Sequence, residues 1–206
     1  MTDVRDELRM KVGILALQGD FEAHARVLER LGVEWAYVKR PNELAAVDAL
    51  IIPGGETTTM LKFLESNGFL EALRRLPVEG KPLFGTCAGA ILLAKEVTKP
   101  PQASLGLVDV TIERNAYGRQ VSSAVRRGRS TLTGAPLEMV FIRAPIIRRV
   151  GAEARVVAEC DALPVAVEQG LCLLATFHPE LTSDTALHEH FLQLARARPA
   201  APAGRR

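Results

Sequence analysis

The first fifty residues alternate between short apolar runs and amphipathic segments. Residues 11–17 are almost continuously apolar, which is typical of a strand buried on both faces. Apolar residues then recur at helical spacing over 21–31, with charged residues on the opposite side. Two further strands are predicted at 35–39 and 49–52, and a helix begins at Pro41 between them. This β-α-β-α-β order predicts a parallel sheet with helices on both faces.

The rest of the chain continues this pattern and then changes it. Helices are predicted at 58–66 and 69–76. From residue 105 apolar and polar residues alternate without intervening helices, which predicts an antiparallel excursion. The later elements are strands at 138–143, 155–160, 163–168 and 171–177 and a helix at 184–197. We therefore predict one α/β domain over 10–198, a three-layer sandwich with a mostly parallel, partly mixed central sheet, and flexible tails at 1–9 and 199–206.

One cysteine lies between a short apolar strand and a helix of small residues. Gly85, Cys87 and Gly89 have the spacing of the Gly-x-Ser-x-Gly nucleophile elbow, with sulfur in place of oxygen. The two glycines lack a Cβ, so strand and helix can crowd around a strained nucleophile. The helix that starts at Ala88 points its N-terminus at the sulfur, and the Ala88 amide is placed to donate to an oxyanion. Taken alone, the pattern also fits a buried structural cysteine.

A glycine-rich loop follows the third predicted strand, at Pro53-Gly54-Gly55-Glu56-Thr57. Open α/β sheets bind ligands at the carboxyl ends of their strands, where this loop lies. A Gly-Gly backbone can approach a ligand closely and point its N–H groups at developing negative charge. The run of threonines from Thr57 to Thr59 is predicted to cap the next helix. A plain strand–helix turn is the alternative interpretation.

His178 follows the last predicted strand and lies at the same sheet edge as Cys87. Pro179 biases His178 towards an extended conformation, and in an extended segment residues two apart point the same way. Glu180 is therefore predicted to reach the imidazole and hold its tautomer. The three side chains would form a nucleophile–base–acid triad. A lone His-Pro-Glu is otherwise a turn.

The other histidines carry weaker signals. His24 lies on the first amphipathic helix, where a surface position or a satisfied hydrogen bond is the expected role. His188 and His190 are two residues apart on a helix and do not share a face. These positions predict no metal site.

Composition narrows the cellular setting and the partners. The three cysteines, Cys87, Cys160 and Cys172, are odd in number and form no Cys-x-x-Cys pair, which indicates neither a disulfide framework nor a zinc site. A reducing cytoplasm fits this pattern. No apolar run approaches the ~18–20 residues of a membrane span. The net charge of +2 gives no reason to expect nucleic acid.

Together the motifs resemble the class I, triad-type glutamine amidotransferases, whose fold is flavodoxin-like, and most closely the glutaminase subunits of pyridoxal 5′-phosphate synthases. The resemblance covers about residues 10–196. The matching segments, in the family's order, are Leu-Ala-Leu-Gln-Gly at 15–19, Pro-Gly-Gly-Glu-Thr-Thr-Thr-Met at 53–60, Gly-Thr-Cys-Ala-Gly at 85–89, Glu-Arg-Asn at 113–115, Tyr-Gly-Arg-Gln at 117–120, Phe-Ile-Arg-Ala-Pro at 141–145 and Phe-His-Pro-Glu-Leu-Thr at 177–182. The full set is specific, whereas any one motif is not.

The resemblance implies a role for each matching residue. Cys87 would be the nucleophile, His178 the base and acid, and Glu180 the residue that orients the base. The implied glutamine contacts are Gly55, Glu56, Thr57, Arg114, Ile142 and Arg143. The implied oxyanion-hole residues are Gly54, Gly55 and Ala88, and Gln18 is a candidate for coupling to a partner. One departure is visible, because the family usually has Ser where Thr57 stands, although the hydroxyl is kept.

The implied activity is hydrolysis of L-glutamine, with the ammonia passed to a separate synthase subunit in a hetero-oligomer. The resemblance implies that this chain itself holds no cofactor. A cysteine peptidase or glyoxalase on a similar fold is one alternative, but such enzymes use a Glu from the first strand, and Ala16-Leu17-Gln18 offers no acid. A non-catalytic regulatory module is the other alternative, and the presence of all three triad residues argues against it.

Overall fold

The computed structural model describes residues 10–115 and 123–197, and within them strands and helices alternate along the chain. The strands are β1 Lys11–Leu15, β2 Glu34–Val38, β3 Ala49–Ile52, β4 Leu83–Thr86, β5 Ala94–Thr98, β6 Val108–Glu113, β7 Ala124–Ser130, β8 Leu137–Phe141, β9 Ile146–Val150, β10 Arg155–Cys160, β11 Leu163–Gln169 and β12 Cys172–Ala175. The α-helices are α1 Phe21–Arg30, α2 Thr57–Ser66, α3 Phe69–Arg75, α4 Ala88–Leu93 and α5 Ala186–Arg196. Short 3-10 helices cover Pro41–Ala46 and Pro179–Leu181. The predicted tails and the segment Tyr117–Gln120 lie outside the described residues.

The main sheet has the strand order β2-β1-β3-β4-β12-β11-β10-β7-β8 in the described part of the chain. Neighbouring strands from β2 to β12 run parallel. Those from β12 to β8 run antiparallel. The mixed α/β sheet predicted from the sequence is confirmed, and its parallel half comes from the β-α-β-α-β start of the chain. A smaller sheet joins β5, β6 and β9.

The parallel strands are buried on both faces, which explains their nearly continuous apolar sequence. Ile14 and Ile51 pack on one face with α1 and α5, whereas Leu50 and Ile52 pack on the other with α2, α3 and α4. The smaller sheet adds its apolar side chains to this second face. The layers hold the parallel strands rigidly, so the loops that leave their carboxyl ends start from fixed points.

The helix after the Gly-Gly loop is capped differently from the prediction. Both carboxylate oxygens of Glu56 accept backbone N–H bonds, from Thr58 at 2.9 Å and from Thr59 at 2.7 Å. The predicted threonine cap is wrong, because Thr57 is already the first helical residue and Glu56 keeps the extended backbone of an N-cap. The cap fixes the glutamate carboxylate beside the loop.

The smaller sheet contains two strands that the hydrophobic pattern did not predict. Strand β5 begins at Ala94, which also ends α4, so no turn residue separates the two elements. Strand β9 carries Arg148 and Arg149, which interrupt its apolar pattern and pair with Glu113 and Asp109 on β6. Antiparallel pairing is present as predicted, between β6 and β9 and between β7 and β8, but β6 and β7 lie in different sheets and β5 runs parallel to β6.

Candidate active site

The sheet register brings three loops together at one edge. Ile52 at the end of β3 lies beside Gly85 on β4, and Thr86 at the end of β4 lies beside Ala175 on β12. The Gly-Gly loop, the cysteine elbow and the histidine segment therefore leave neighbouring parallel strands at the same level. This adjacency was expected, because the carboxyl ends of parallel strands meet at one edge.

Cys87 lies at the tight turn that the sequence predicted. Its backbone has φ 49° and ψ −99°, outside the regions that most residues adopt. A Cβ on Gly85 would lie 2.5 Å from the carbonyl carbon of Gly89, and a Cβ on Gly89 would overlap the carbonyl oxygen of Ile52. Glycine is required at both positions because strand and helix backbones touch there. The Cys87 N–H donates to the carbonyl of Ala175 at 2.8 Å, which fixes the turn.

His178 and Glu180 form a close buried pair. The distance from His178 Nδ1 to Glu180 Oε1 is 2.6 Å, and the Glu180 side chain is fully buried. The backbone that creates this contact differs from the prediction, because Pro179 begins a 3-10 helix instead of continuing an extended segment. The turn folds Glu180 back beneath the imidazole. The predicted contact is present, but through a turn and not through a strand.

The protonation of the pair follows from its contacts. Burial alone would lower the pKa of His178, but side-chain hydrogen bonds with Cys87 and Glu180 outweigh it and raise the pKa to about 10. Burial alone would also raise the pKa of Glu180, whereas His24 and His178 hold it below its ordinary value. An ionised Glu180 beside a protonated His178 at neutral pH is the arrangement in which His178 can give a proton to a leaving group.

The other two cysteines differ from Cys87 in their surroundings. Cys172 lies within β12, and burial raises the pKa of its thiol to about 12. Burial likewise raises the pKa of Cys160, at the end of β10. The Cys87 side chain instead has a hydrogen bond with His178, so Cys87 is the thiol suited to nucleophilic attack.

A cavity of about 350 Å³ opens beside Cys87. Its walls contain ten residues that the sequence singled out, together with four that it did not. The ten are Gly54, Gly55, Glu56, Thr57, Cys87, Ala88, Arg114, Ile142, Arg143 and His178; the four are Asp20, Ile91, Asn115 and Leu181. Glu180 lies behind His178 and Gln18 lies beside the Gly-Gly loop, so neither lines the cavity.

The cavity walls carry charges of both signs. Hydrogen bonds from the backbone N–H groups of Thr58 and Thr59 help to lower the pKa of Glu56 to about 2. Arg114 Nη2 donates to the Thr58 hydroxyl at 3.1 Å and lies 3.8 Å from Glu56 Oε1. The buried Nε of Arg114 has no hydrogen-bond partner within residues 10–115 and 123–197. Arg143 is exposed at the rim with a positive φ of 46°.

Thr57 uses its hydroxyl inside the protein. Its Oγ1 donates to Gln102 Oε1 at 3.0 Å, and Gln102 Nε2 is buried without a partner in the part of the chain that the structure describes. Sequence reasoning missed Gln102, because it lies in an irregular segment with no motif and reaches Thr57 only through the fold. Asn115 belongs to the recognised Glu-Arg-Asn motif but was given no role, and Asp20, which directly follows the motif at 15–19, was also missed.

The segment Gln18-Gly19 packs directly on the Gly-Gly loop. Gln18 Nε2 donates to the Glu56 carbonyl at 2.5 Å. Gly19 has φ 88°, and a Cβ there would overlap the carbonyl oxygen of Gly54. The Gly54 carbonyl therefore faces Gly19, and in a trans peptide the Gly55 N–H points to the opposite side. A Cβ on Gly54 would lie 2.5 Å from His178 Cε1 and 3.4 Å from Cys87 Cβ, so the loop also touches these two residues.

The described residues offer neither a metal site nor a membrane-spanning helix. Within 10–115 and 123–197, no group of three or more His, Cys, Asp or Glu side chains is arranged to hold a metal ion. The helices of the same residues are too short or too polar to cross a bilayer.

A mixed α/β sandwich with a strained cysteine elbow, a histidine after the neighbouring strand and a buried acid behind it is the arrangement expected of a glutamine amidotransferase. The sequence profile of the SNO glutamine amidotransferase family matches residues 14–196, and the chain belongs to this family. It is therefore a glutamine amidotransferase, an enzyme that takes ammonia from glutamine.

Relatives and a solved structure agree with the family. The pyridoxal 5′-phosphate synthase subunit PdxT of Koribacter versatilis is 54% identical over 187 residues, which is 91% of this chain and 96% of the relative. The PdxT subunit of Solibacter usitatus is 50% identical over 188 residues, 88% of this chain and 97% of the relative. A crystal structure of a glutamine amidotransferase superposes with a TM-score of 0.85 at 47% identity, covering 90% of this chain and 99% of that one.

Proposed function

We propose that this chain is the glutaminase subunit of a pyridoxal 5′-phosphate synthase. It hydrolyses L-glutamine to L-glutamate and ammonia through Cys87, His178 and Glu180, and a separate synthase subunit consumes the ammonia. The observation that carries the chemistry is the contact of His178 with both Cys87 and Glu180 at the wall of the cavity. The synthase context rests on the two PdxT relatives, each at least 50% identical to this chain.

The reaction proceeds through a covalent intermediate. The Cys87 sulfur attacks the side-chain amide carbon of glutamine, and backbone N–H groups from Gly54, Gly55 and Ala88 are the candidates to hold the oxyanion. His178 gives its proton to the departing ammonia, which leaves a γ-glutamyl thioester on Cys87. Water then attacks the thioester while His178 accepts its proton, and glutamate leaves as the thiol re-forms.

The charged walls of the cavity complement the amino-acid end of glutamine. Arg114 and Arg143 are suited to the α-carboxylate, because a guanidinium can donate two parallel hydrogen bonds to it. The ionised carboxylate of Glu56 is suited to the α-ammonium group. Gly55, Thr57 and Ile142 complete the proposed contacts, with the Ile142 carbonyl 4.0 Å from the Cys87 sulfur.

Substitution of either arginine is expected to weaken substrate binding more than chemistry. In Arg114→Ala and Arg143→Ala the KM for glutamine should rise about 10- to 100-fold, since a hydrogen bond to a charged group contributes about 1.5–3 kcal/mol. Steady-state kinetics over a range of glutamine concentrations measures this rise. Arg155→Ala, which removes a cation paired with Glu168 away from the cavity, is the matched control. An unchanged KM in both cavity variants would show that these arginines do not bind glutamine.

The decisive test of the site is covalent labelling. The glutamine-like diazoketone 6-diazo-5-oxo-L-norleucine should alkylate the chain once, with loss of nitrogen gas, when the synthase subunit is present. Peptide mass spectrometry should locate the adduct on Cys87, with Cys160 and Cys172 unmodified, and excess glutamine should protect against it. Labelling elsewhere, or labelling that glutamine does not slow, would contradict the proposed active site.

The partner is proposed to control the oxyanion hole. The Gly54-Gly55 loop lies between the catalytic pair and the Gln18-Gly19 segment, so a partner that displaces this segment would also displace the loop. We place this complex in the cytoplasm, where its free thiols stay reduced. A partner that orders the loop would present the oxyanion donors only in the complex.

The isolated chain is therefore expected to be a poor glutaminase. Adding the synthase subunit should raise kcat by about 10² to 10³, the effect of one oxyanion donor. Ammonia release at saturating glutamine, with and without the synthase subunit, measures this ratio. Equal kcat values in the two samples would rule out the switch while leaving the triad intact.

Two glycines offer a matched comparison for the same switch. Gly19→Ala should depress kcat in the complex, because the added methyl group overlaps the Gly54 carbonyl and displaces the loop. Gly32→Ala places the same residue at a similar positive φ of 66°, but nothing lies within 4 Å of the new methyl group. Equal activity in these two variants would show that Gln18-Gly19 does not act on the loop.

A further inference from the structure

A buried cluster of polar side chains lies behind Glu180, on the side away from the cavity. His24 on α1 and His188 on α5 are both fully buried, and the Thr86 hydroxyl comes from the last residue of β4. His24 Nδ1 lies 3.0 Å from His188 Nε2, and His24 Nε2 lies 3.1 Å from Thr86 Oγ1. None of these side chains lines the cavity beside Cys87. The proposed reaction gives the cluster no role.

The cluster lies beside Glu180 Oε2, the carboxylate oxygen that is not bonded to His178. Oε1 is bonded to His178, while Oε2 is buried and has no hydrogen-bond partner among the described residues. His24 Nε2 approaches Oε2 to 3.6 Å. A buried carboxylate oxygen needs a donor or a positive dipole nearby, because its desolvation is costly. The His24 ring edge supplies that dipole if Nε2 carries the proton.

The hydrogen bonds select that tautomer. Burial lowers the pKa of His24 and lowers the pKa of His188 to about 3, so both rings are neutral at pH 7. If His24 carries its proton on Nε2, then Nδ1 accepts from His188 Nε2–H, and the unpartnered His188 Nδ1 is a bare acceptor. The other tautomer would point a lone pair of His24 at Glu180 and leave a buried N–H of His188 without an acceptor. Orphaned buried donors are rarer than orphaned acceptors, which favours the first arrangement.

We propose that His24 is a positioning residue of the glutaminase, holding Glu180 through its Nε2–H while His188 holds His24 in the required tautomer. This inference rests on the triad proposed above. His24 thereby keeps Oε1 of Glu180 aimed at His178 Nδ1. Through Thr86, the residue before Cys87, the same ring edge also braces the strand that carries the nucleophile. The device resembles the way a second partner orients a ligating or catalytic histidine in other enzymes.

The tautomer is measurable on the unmodified chain. The protein has four histidines, so its ¹⁵N-histidine spectrum is simple enough to assign with single substitutions. Both His24 and His188 should be neutral at pH 7 with the proton on Nε2. A proton on Nδ1 of His24 would overturn the proposal. The tautomer measurement itself requires neither an active enzyme nor a folded variant.

Two substitutions of His24 distinguish the role of its N–H donor from the role of its side-chain volume. In His24→Leu the N–H is absent, and kcat in the complex with the synthase subunit should fall on the order of 10–100-fold, the range found when hydrogen-bond partners behind metal-ligating side chains are removed. In His24→Gln the side-chain amide can place an N–H near the same point, and kcat should stay within about fivefold of wild type. KM for glutamine should change less than twofold in both variants, since residue 24 does not line the cavity. Equal losses in the two variants, or no loss in His24→Leu, would overturn the proposal.

The outcome can be told apart from failure of the triad itself. If Cys87→Ala is inactive while folded His24→Leu matches wild type, only the role of His24 is wrong. If Cys87→Ala keeps its activity, the triad is wrong and the role of His24 falls with it. Thermal unfolding of each variant, followed by circular dichroism, shows that activity is compared between folded proteins.

Discussion

Replacing Cys87 with alanine is expected to abolish glutamine hydrolysis while leaving the fold unchanged. The sulfur is the group that forms the thioester, and no other thiol of the described chain lines the cavity. Alanine removes one atom from a residue that packs tightly against β12, so the elbow itself should persist. Ammonia release in the complex with the synthase subunit measures the loss, which should reach the background rate.

The same variant separates ammonia production from ammonia use. Pyridoxal phosphate synthesis by the complex should survive in Cys87→Ala when an ammonium salt replaces glutamine. Cys172→Ala is the matched control, because this thiol lies buried in the neighbouring strand and takes no part in the proposed reaction. Glutamine hydrolysis near the wild-type rate in Cys87→Ala would contradict the assignment of Cys87 as the nucleophile.

The second large effect is expected at the base. His178→Ala should lower kcat by roughly 10³-fold or more, by analogy with other triads, because His178 is the histidine among the described residues of the cavity wall and is proposed to move the proton. Glu180→Gln should cost less than His178→Ala, since the glutamate aligns the base but does not transfer the proton itself. The 2.6 Å contact and the turn at Pro179 hold that alignment. Single-turnover measurements of thioester formation and breakdown show which step each variant slows.

The comparison has a built-in control on α5. His190 lies outside the cavity and is bonded to Glu168, so His190→Ala should keep its kcat near that of wild type. Effects below about tenfold in both His178→Ala and Glu180→Gln would show that His-Pro-Glu is a structural turn. In that case the raised pKa of His178 would be a consequence of packing with no catalytic use.

Much of the site could be predicted because its parts are local in sequence. The spacing Gly85-x-Cys87-x-Gly89 predicts the elbow, because a Cβ at either glycine would clash with nearby backbone. At Gly85 the clash would be with Gly89 in the same strand–turn–helix unit, and at Gly89 it would be with Ile52 on the neighbouring strand. The apolar runs predict that these loops leave a parallel sheet, and parallel strands put their carboxyl ends at one edge. The Gly-Gly loop, the cysteine elbow and His178 were therefore brought together by the order of the parallel strands. Arg114, Ile142 and Arg143 follow β6 and β8, outside that parallel half, and were singled out by the family resemblance of their motifs.

The incorrect and missed predictions concern features that depend on contacts between distant parts of the chain or on backbone conformation that the sequence pattern does not specify. The cap at Glu56 depends on which residue keeps an extended backbone, and the threonine run gave no indication of that. The turn at Pro179 replaced a strand because its residues pack beneath the sheet edge, which a two-residue period cannot express. Strands β5 and β9 were missed because one begins without a turn and the other carries arginines that are satisfied by β6.

By itself the sequence determined most of the sheet-and-helix order and the strained cysteine, because these depend on hydrophobic period and on glycine stereochemistry, which act over a few residues. The residues expected to contact glutamine came from the family resemblance of the motifs and not from these local patterns. Only the tertiary structure decided that His24 and His188, which the sequence assigned no part in the site, meet behind Glu180. That meeting joins α1, α5 and the segment after β12 across 164 positions of the chain. A buried hydrogen bond over such a separation leaves no local pattern, because its partners are chosen by packing and by the desolvation of the groups that packing buries.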